Sequence, residues 1–165
     1  MNPEFQPIKF KPVGIIHTPF KERKGMPIQP VGGKGVKAQI SIFSEYQAGL
    51  KDLEGFSHIY LLFHLHRSDR FELQVFPFLD KEKRGVFATR APNRPNPIGL
   101  SIVKLDRIKK NIIHIENVDM LDGTPLLDIK PYVPEFNDNV PIKTGWLEKA
   151  RGKSRSHRSD DRFIK

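Results

Sequence analysis

The sequence predicts a mainly β protein: a small single-domain β-barrel with one or two short helices and a basic C-terminal tail. Three observations carry that expectation. Apolar residues fall in seven or eight short runs of β-rich composition, turn formers separate the runs, and the regularly spaced helical segments that a βαβ layout needs are missing. The 165 residues suit one compact core rather than two.

KPVGIIHTPF (11–20) reads as a strand ending at Pro19, and GMPIQPVGGKG (25–35) as a long loop. Its GGKG stretch, Gly32 to Gly35, lacks the spacing and flanks of a phosphate-binding loop and is expected to be a flexible hinge. AQISIF (38–43) alternates as a strand does. SEYQAGLKDLEGF (44–56) opens on Ser44 as a candidate cap and closes near Gly55, which predicts a short helix. SHIYLLFHLH (57–66), FELQVFPF (71–78) and GVFAT (85–89) read as strands. LSIVKLDRIKKNIIHIENVDML (100–121) pairs two β-rich runs across a turn at Lys109 to Asn111, an antiparallel hairpin. DGTPLLDIKPYVPEF (122–136) supplies a tight turn at Asp122 and Gly123, a short strand and a proline stop. TGWLEKARGK (144–153) is expected to form one basic helix, and SRSHRSDDRFIK (154–165) to be disordered or ordered by a partner. Residues 1–142 are therefore assigned to the barrel and 143–165 to a basic C-terminal helix and tail.

Composition narrows the chemistry. No stretch approaches the roughly 18 apolar residues of a membrane span. The opening MNPEFQPIKFKP lacks the pattern of a secretory signal, so a cytoplasmic protein is expected. The absence of cysteine excludes disulfide scaffolds, thiolate zinc sites, iron–sulfur clusters and cysteine nucleophiles. The net charge of +9 is uneven: from Lys143 onward eight basic residues face three acidic ones. Such an excess attracts polyanions, chiefly nucleic acid or anionic lipid, through a term that salt screens, or simply makes a solvated, solubilising tail.

Three constellations bear on a site. His58, His64 and His66 share strand parity, but no adjacent carboxylate completes a ligand set, and no metal is expected. Ser101 sits outside any G-x-S-x-G elbow. The segment GVFATRAPNRPNPIGLS (85–101) places Pro92, Pro95 and Pro97 among Arg90, Asn93, Arg94 and Asn96. Three prolines make a stiff extended loop whose carbonyls are expected to be open to a ligand, and the two arginines offer forks for carboxylate or phosphate. Asp128 and Lys130 share strand parity just before Pro131 and Tyr132, so an acid and an ammonium can pair there, in a cleft or as an ordinary surface ion pair.

GVFATRAPNRPNPIGLS followed by DGTPLLDIKPYVP resembles the paired signature of the TrmO (TsaA-like) family, S-adenosylmethionine-dependent tRNA methyltransferases built on a small β-barrel. The likeness runs in order from PVGIIHTPF through MPIQPVG and FSHIYLLFHLHRS to DIKPY. It implies methyl transfer to the exocyclic nitrogen of threonylcarbamoyl-adenosine beside the tRNA anticodon. It also implies a homodimer whose S-adenosyl-L-methionine site lies near the subunit interface. Carried onto this sequence, cofactor binding falls on Pro27, Ile28, Gln29, His66, Arg67, Arg90 and Leu100, and on the run Asp128, Ile129, Lys130, Pro131. Within that resemblance Asp128 accepts the acceptor's proton or orients the donor, Lys130 or Arg90 neutralises charge, and Tyr132 shapes the adenine pocket. Arg94, Lys149, Arg151, Lys153 and Arg155 are expected to contact tRNA phosphates. Two other readings stand open: methylation of another nucleoside or small molecule, and a non-catalytic barrel that binds RNA or an adenosyl ligand.

Overall fold

The computed structural model describes residues 6–134, 143–150 and 152–163. Eight strands lie among them: β1 (Gly14–His17), β2 (Lys37–Ile42), β3 (His58–His64), β4 (Gln74–Val75), β5 (Arg84–Gly85), β6 (Ile98–Lys109), β7 (Ile112–Glu116) and β8 (Thr124–Pro131). Six of them close a barrel in the order β1-β2-β7-β6-β3-β8, every pairing antiparallel, with β8 returning to β1. β4 and β5 form a separate two-stranded ribbon. No helix among the described residues is long and apolar enough to cross a membrane.

Period-two patterning sets the barrel's inside. Ile59, Leu61 and Phe63 of β3 and Ser101, Val103 and Leu105 of β6 point inward, where they meet Ile16, Ile40, Ile113, Ile115 and Leu126. The predicted hairpin forms between β6 and β7, and Lys110 takes the left-handed conformation (φ 57°) that its tight turn needs. Gly123 (φ 73°) makes the turn into β8.

Five local expectations change. The segment 44–56 folds as 3₁₀ turns, Ser44–Leu50 and Leu53–Gly55, rather than an α-helix. Phe43 occupies the cap position while the Ser44 hydroxyl reaches only Glu45, and the left-handed Asp52 (φ 66°) interrupts a piece too short to hold an α-helix alone. FELQVFPF keeps only Gln74–Val75 as strand, since Phe71 and Leu73 have no core to face and Pro77 brings no backbone donor. GVFAT likewise keeps only Gly85 as strand, the end of Arg84–Gly85, followed by a 3₁₀ turn over Val86–Ala88.

The GGKG stretch is packed, not a hinge. It ends a 3₁₀ turn, Pro30–Gly33, and a Cβ on Gly33 would stand 2.2 Å from the Val118 carbonyl oxygen, so only glycine lets the two backbones meet.

The C-terminal segment is ordered within the chain. It makes 3₁₀ turns at Gly145–Ala150, Lys153–Arg155 and Asp161–Phe163 in place of one basic helix. An antiparallel bridge joins Arg158 to Pro27, and Ser159 exchanges backbone hydrogen bonds with Gly25 and Met26 at 2.9 and 3.0 Å. Phe163 buries itself among Val75, Val86 and Ala91, edge-on to Phe78 with ring centroids 5.1 Å apart. Arg151 and residue 142, where the barrel domain was expected to end, lie outside the described residues.

Candidate functional site

One mouth of the barrel opens into a cavity of about 370 Å³, within the range of small-ligand sites. Its floor is the barrel interior: Phe63 from β3, Gly99 and Ser101 from β6, and Thr124 from β8. A Cβ on Gly99 would come within 2.2 Å of the Phe63 ring, so glycine is what lets that ring lie against β6 at the floor. The walls are Met26, Pro27 and Ile28 from the long loop, His66 and Arg67 after β3, and Arg90, Pro92 and Arg94 from the proline-rich loop. The C-terminal segment closes the remaining side with Ser159, Asp160 and Phe163.

Each wall is held by polar contacts that its own sequence supplies. Arg90 donates through Nη2 to the Leu100 carbonyl, tying the proline-rich loop to β6. Arg94 donates through Nη1 to the carbonyls of Val86, Thr89 and Ala91 at 3.2, 2.9 and 3.3 Å. Its guanidinium therefore staples its own loop, a packing role, although it lines the cavity. The loop's carbonyls are also taken from within: Pro92 accepts from Ser68 Oγ at 2.9 Å, and Pro97 from the Leu65 amide at 2.7 Å. Asn93 is buried, and its Oδ1 accepts from Ser68. Arg23 donates to the carbonyls of Arg67 and Phe163, locking the turn after β3 to the C-terminal segment.

Electrostatics give the cavity a mixed character. Arg23, Arg67, Arg90 and Arg94 make it cationic, while Asp119 and Asp160 supply negative charge. Burial, then Arg67, His64 and Arg23, hold His66 below the ordinary imidazole range, so the ring is neutral near pH 7. Thr124 Oγ1 donates to Leu121 O at 2.7 Å and lies 3.4 Å from His66 Nδ1. Asp119 sits in the β7–β8 loop, hemmed in by protein and reached through the cavity; loss of water pushes its carboxyl up to about 6.

The predicted cofactor residues separate into two groups. Pro27, Ile28, His66, Arg67, Arg90 and Leu100 line the cavity, and Gln29 lines an adjoining one of about 330 Å³ that shares Ile28, Arg90 and Phe163. Asp128, Ile129, Lys130 and Pro131 line neither. They follow Thr124 on β8, and Asp128 stands about 13 Å further along the strand by the usual rise per residue. Asp128 and Lys130 do pair, at 2.8 Å, with side chains 48% and 63% exposed: a surface pair on the barrel wall rather than one in this cavity. Beside them Tyr132 packs on Tyr60 and His58, with centroids 5.5 and 6.3 Å apart. Of the predicted RNA contacts, Lys149, Lys153 and Arg155 are exposed. Among the described residues no group of three His, Asp or Glu stands close enough to share a metal ion.

Sequence reading missed Asp119, Thr124, Asp160 and Phe163. Asp119 carried a signal, a lone acid between apolar Val118 and Met120, and Phe163 stood out as the apolar residue in a polar tail.

Fold and site together define a closed antiparallel barrel with a cationic, partly apolar pocket at one mouth, a small-ligand-binding domain. The chain belongs to the tRNA-methyltransferase O N-terminal domain family, whose pattern matches residues 15–138. It is 54% identical over 157 residues to a probable S-adenosyl-L-methionine-binding protein of Pyrococcus abyssi, covering 95% of this chain and 85% of that one. It is 37% identical over 134 residues to the tRNA (adenine(37)-N6)-methyltransferase of Mus musculus, covering 77% of this chain and 31% of that one. The crystal structure of TrmO from Pseudomonas aeruginosa superposes with a TM-score of 0.73 at 34% identity, over 89% of this chain and 64% of that one. This chain thus spans just under two thirds of the crystallised TrmO and about a third of the mouse enzyme.

Proposed function

We propose that this protein is an S-adenosyl-L-methionine-dependent methyltransferase that modifies the exocyclic nitrogen of threonylcarbamoyl-adenosine next to the tRNA anticodon, in the cytoplasm. The observation that carries this reading is the cavity itself, which draws Pro27 and Ile28, His66 and Arg67, and Arg90 and Leu100 from three separate segments to one place. The donor set suits the cofactor. Arginines favour its carboxylate, Phe63, Leu65 and Met26 offer apolar surface for the adenine, and Asp160 offsets the positive sulfonium. When bound, the cofactor supplies an activated methyl group, so the chain's task is to hold donor and acceptor in line and to manage one proton.

A second copy completes the site in this reading. β3 and β6 turn Tyr60, Leu62, Ile98, Leu100 and Ile102 outward in neighbouring registers, and the three β6 side chains are exposed. That apolar stripe runs from the cavity's Leu100 toward Asp128, Lys130 and Tyr132. A homodimer built on it carries those three residues toward the partner's cavity, where they orient the ligands. Lys149, Lys153 and Arg155, together with Arg151, take the phosphates of the tRNA. The aromatic rim of the adjoining cavity, Phe87 and Trp146, faces its bases.

The test is incubation with methyl-labelled S-adenosylmethionine and tRNA with or without the threonylcarbamoyl group, followed by nucleoside mass spectrometry. Label on threonylcarbamoyl-adenosine alone is the expected result. Label elsewhere replaces the acceptor, and cofactor binding without transfer to any nucleoside overturns the tRNA methyltransferase reading.

A further inference from the structure

The binding scheme above leaves one acid in the cavity without a chemical task. Asp119 comes from the loop between β7 and β8, and that loop is fixed on both sides. The Asn117 amide donates to Val36 O at 3.0 Å, Asn117 Oδ1 accepts from the Gly35 amide at 2.8 Å, and Thr18 Oγ1 donates to Met120 O at 3.0 Å. Asp122 Oδ1 then accepts from the Thr18 amide at 3.0 Å. Between these anchors the Asp119 carboxylate lines the cavity, and its Oδ1 accepts from the buried Ser101 hydroxyl at 2.7 Å. A carboxylate held this rigidly at the floor of a ligand cavity is placed for work on the ligand.

We propose that Asp119 is the general base of the reaction, the group that takes the proton from the acceptor nitrogen as that nitrogen is methylated; the proposal rests on the methyltransferase reading above. The exocyclic nitrogen of threonylcarbamoyl-adenosine is bonded to the purine and to the carbamoyl carbon, so its lone pair is delocalised into both and it is a weak nucleophile. It also carries a hydrogen that must leave. As the nitrogen–methyl bond forms, the carbon–sulfur bond breaks with its electron pair passing to sulfur. The nitrogen–hydrogen bond gives its pair back to nitrogen, and the proton passes to Asp119. The products are the N-methylated nucleoside, a neutral thioether and a protonated carboxyl, which returns its proton to water.

The surroundings match that task. Removal from water raises the proton affinity of Asp119, while the Ser101 hydrogen bond and the Arg90 charge limit the rise, leaving the carboxyl at about 6. It is therefore ionised near pH 7 and binds a proton about a hundredfold more tightly than an ordinary aspartate. Arg90 faces it from the proline-rich loop, and Arg23, His66, Arg67, Arg94 and Asp160 share the cavity. Asp128 is engaged with Lys130 outside this cavity.

Wild-type chain and Asp119→Asn are compared with labelled S-adenosylmethionine and threonylcarbamoylated tRNA. The expected result is a kcat at least a hundredfold lower in Asp119→Asn, about the contribution of a general base, with the cofactor Kd from calorimetry within threefold of wild type. In the ligand-free protein, NMR titration of the Asp119 carboxylate is expected to show a midpoint near 6. Ser101→Ala is expected to move both that midpoint and the acidic limb of the kcat profile to higher pH, a shift that a purely structural role does not produce. A wild-type kcat in Asp119→Asn overturns the proposal, as does a loss of cofactor affinity that accounts for the loss of rate. If Asp119→Asn does not fold, the Ser101→Ala profile decides, and an unmoved acidic limb overturns the proposal. A wild-type chain that methylates no tRNA overturns both this proposal and the functional reading, whereas an active wild type beside an equally active Asp119→Asn overturns the base alone.

Discussion

In the barrel, Ile16, Ile40, Ile59, Leu61 and Ile113 are wholly buried, and each of the six strands is paired on both sides. The apron around its mouth, formed by the long loop, the proline-rich loop and the C-terminal segment, has among the described residues a small core of Val75, Val86, Ala91 and Phe163 with Phe78 against it. The apron compensates with side chains that donate to backbone carbonyls: Arg23, Arg90 and Arg94, and Arg162 to Pro77 O at 2.6 Å. Hydrophobic burial holds a fold against global unfolding, whereas such scattered polar ties hold a shape that can open locally. The ligand cavity lies at the seam, taking its floor from the first region and its walls from the second.

The largest effect expected is in the barrel. Ile40→Ala removes a side chain with no exposure from the centre of the core and is expected to cost about 2–5 kcal/mol, seen as a lower urea midpoint for the whole molecule. A loss below about 1 kcal/mol would mean that the barrel interior relaxes as readily as the apron.

Asp119→Asn probes the seam. A carboxyl near 6 in the fold and near 3.8 in the unfolded chain binds its proton more tightly when folded. Its contribution to stability is thus complete below pH 3.8 and lost as pH rises through 6. Wild type gives up that contribution on ionisation and the Asn variant does not. The variant's stability relative to wild type is therefore expected to improve by about 3 kcal/mol between pH 3 and pH 8, read by denaturant titration at each pH. A flat difference would place Asp119 in contact with bulk water.

The smallest effect expected is in the apron. Phe163→Ala is expected to free residues 152–163 to exchange their amide hydrogens while those of β2 and β3 stay protected. Cofactor affinity is expected to fall about tenfold, or about 1.4 kcal/mol, because one wall of the cavity comes away. Loss of protection throughout the barrel would show that the two regions unfold as one.

The same division governs what was legible in the sequence. Barrel strands advertise themselves, since period-two runs such as HIYLLFH and the hairpin turn at Lys110 are local signals. The family motifs likewise led to Pro27, Ile28, His66, Arg67, Arg90 and Leu100, which lie together in the cavity. The apron's order is not local. Arg158 meets Pro27 across 131 residues of chain, and a polar stretch such as SRSHRSDD carries no mark of the loop it will pair with. Asp119 was passed over for a related reason. Its raised proton affinity comes from burial that only the folded chain creates, held in check by Ser101 on β6 and Arg90 on the proline-rich loop, whereas Asp128, in the more conspicuous motif, pairs with Lys130 on the outer wall.

The closed ring of strands bears on how this surface can diverge. Because the six barrel strands close on one another, no strand is left whole as an edge for another chain to extend. Association through the outer face of β6 draws instead on side chains such as Ile98, Leu100 and Ile102. Single substitutions on that stripe can therefore change partner choice while leaving the inward-facing residues intact, so recognition and folding are inherited on opposite faces of the same strand.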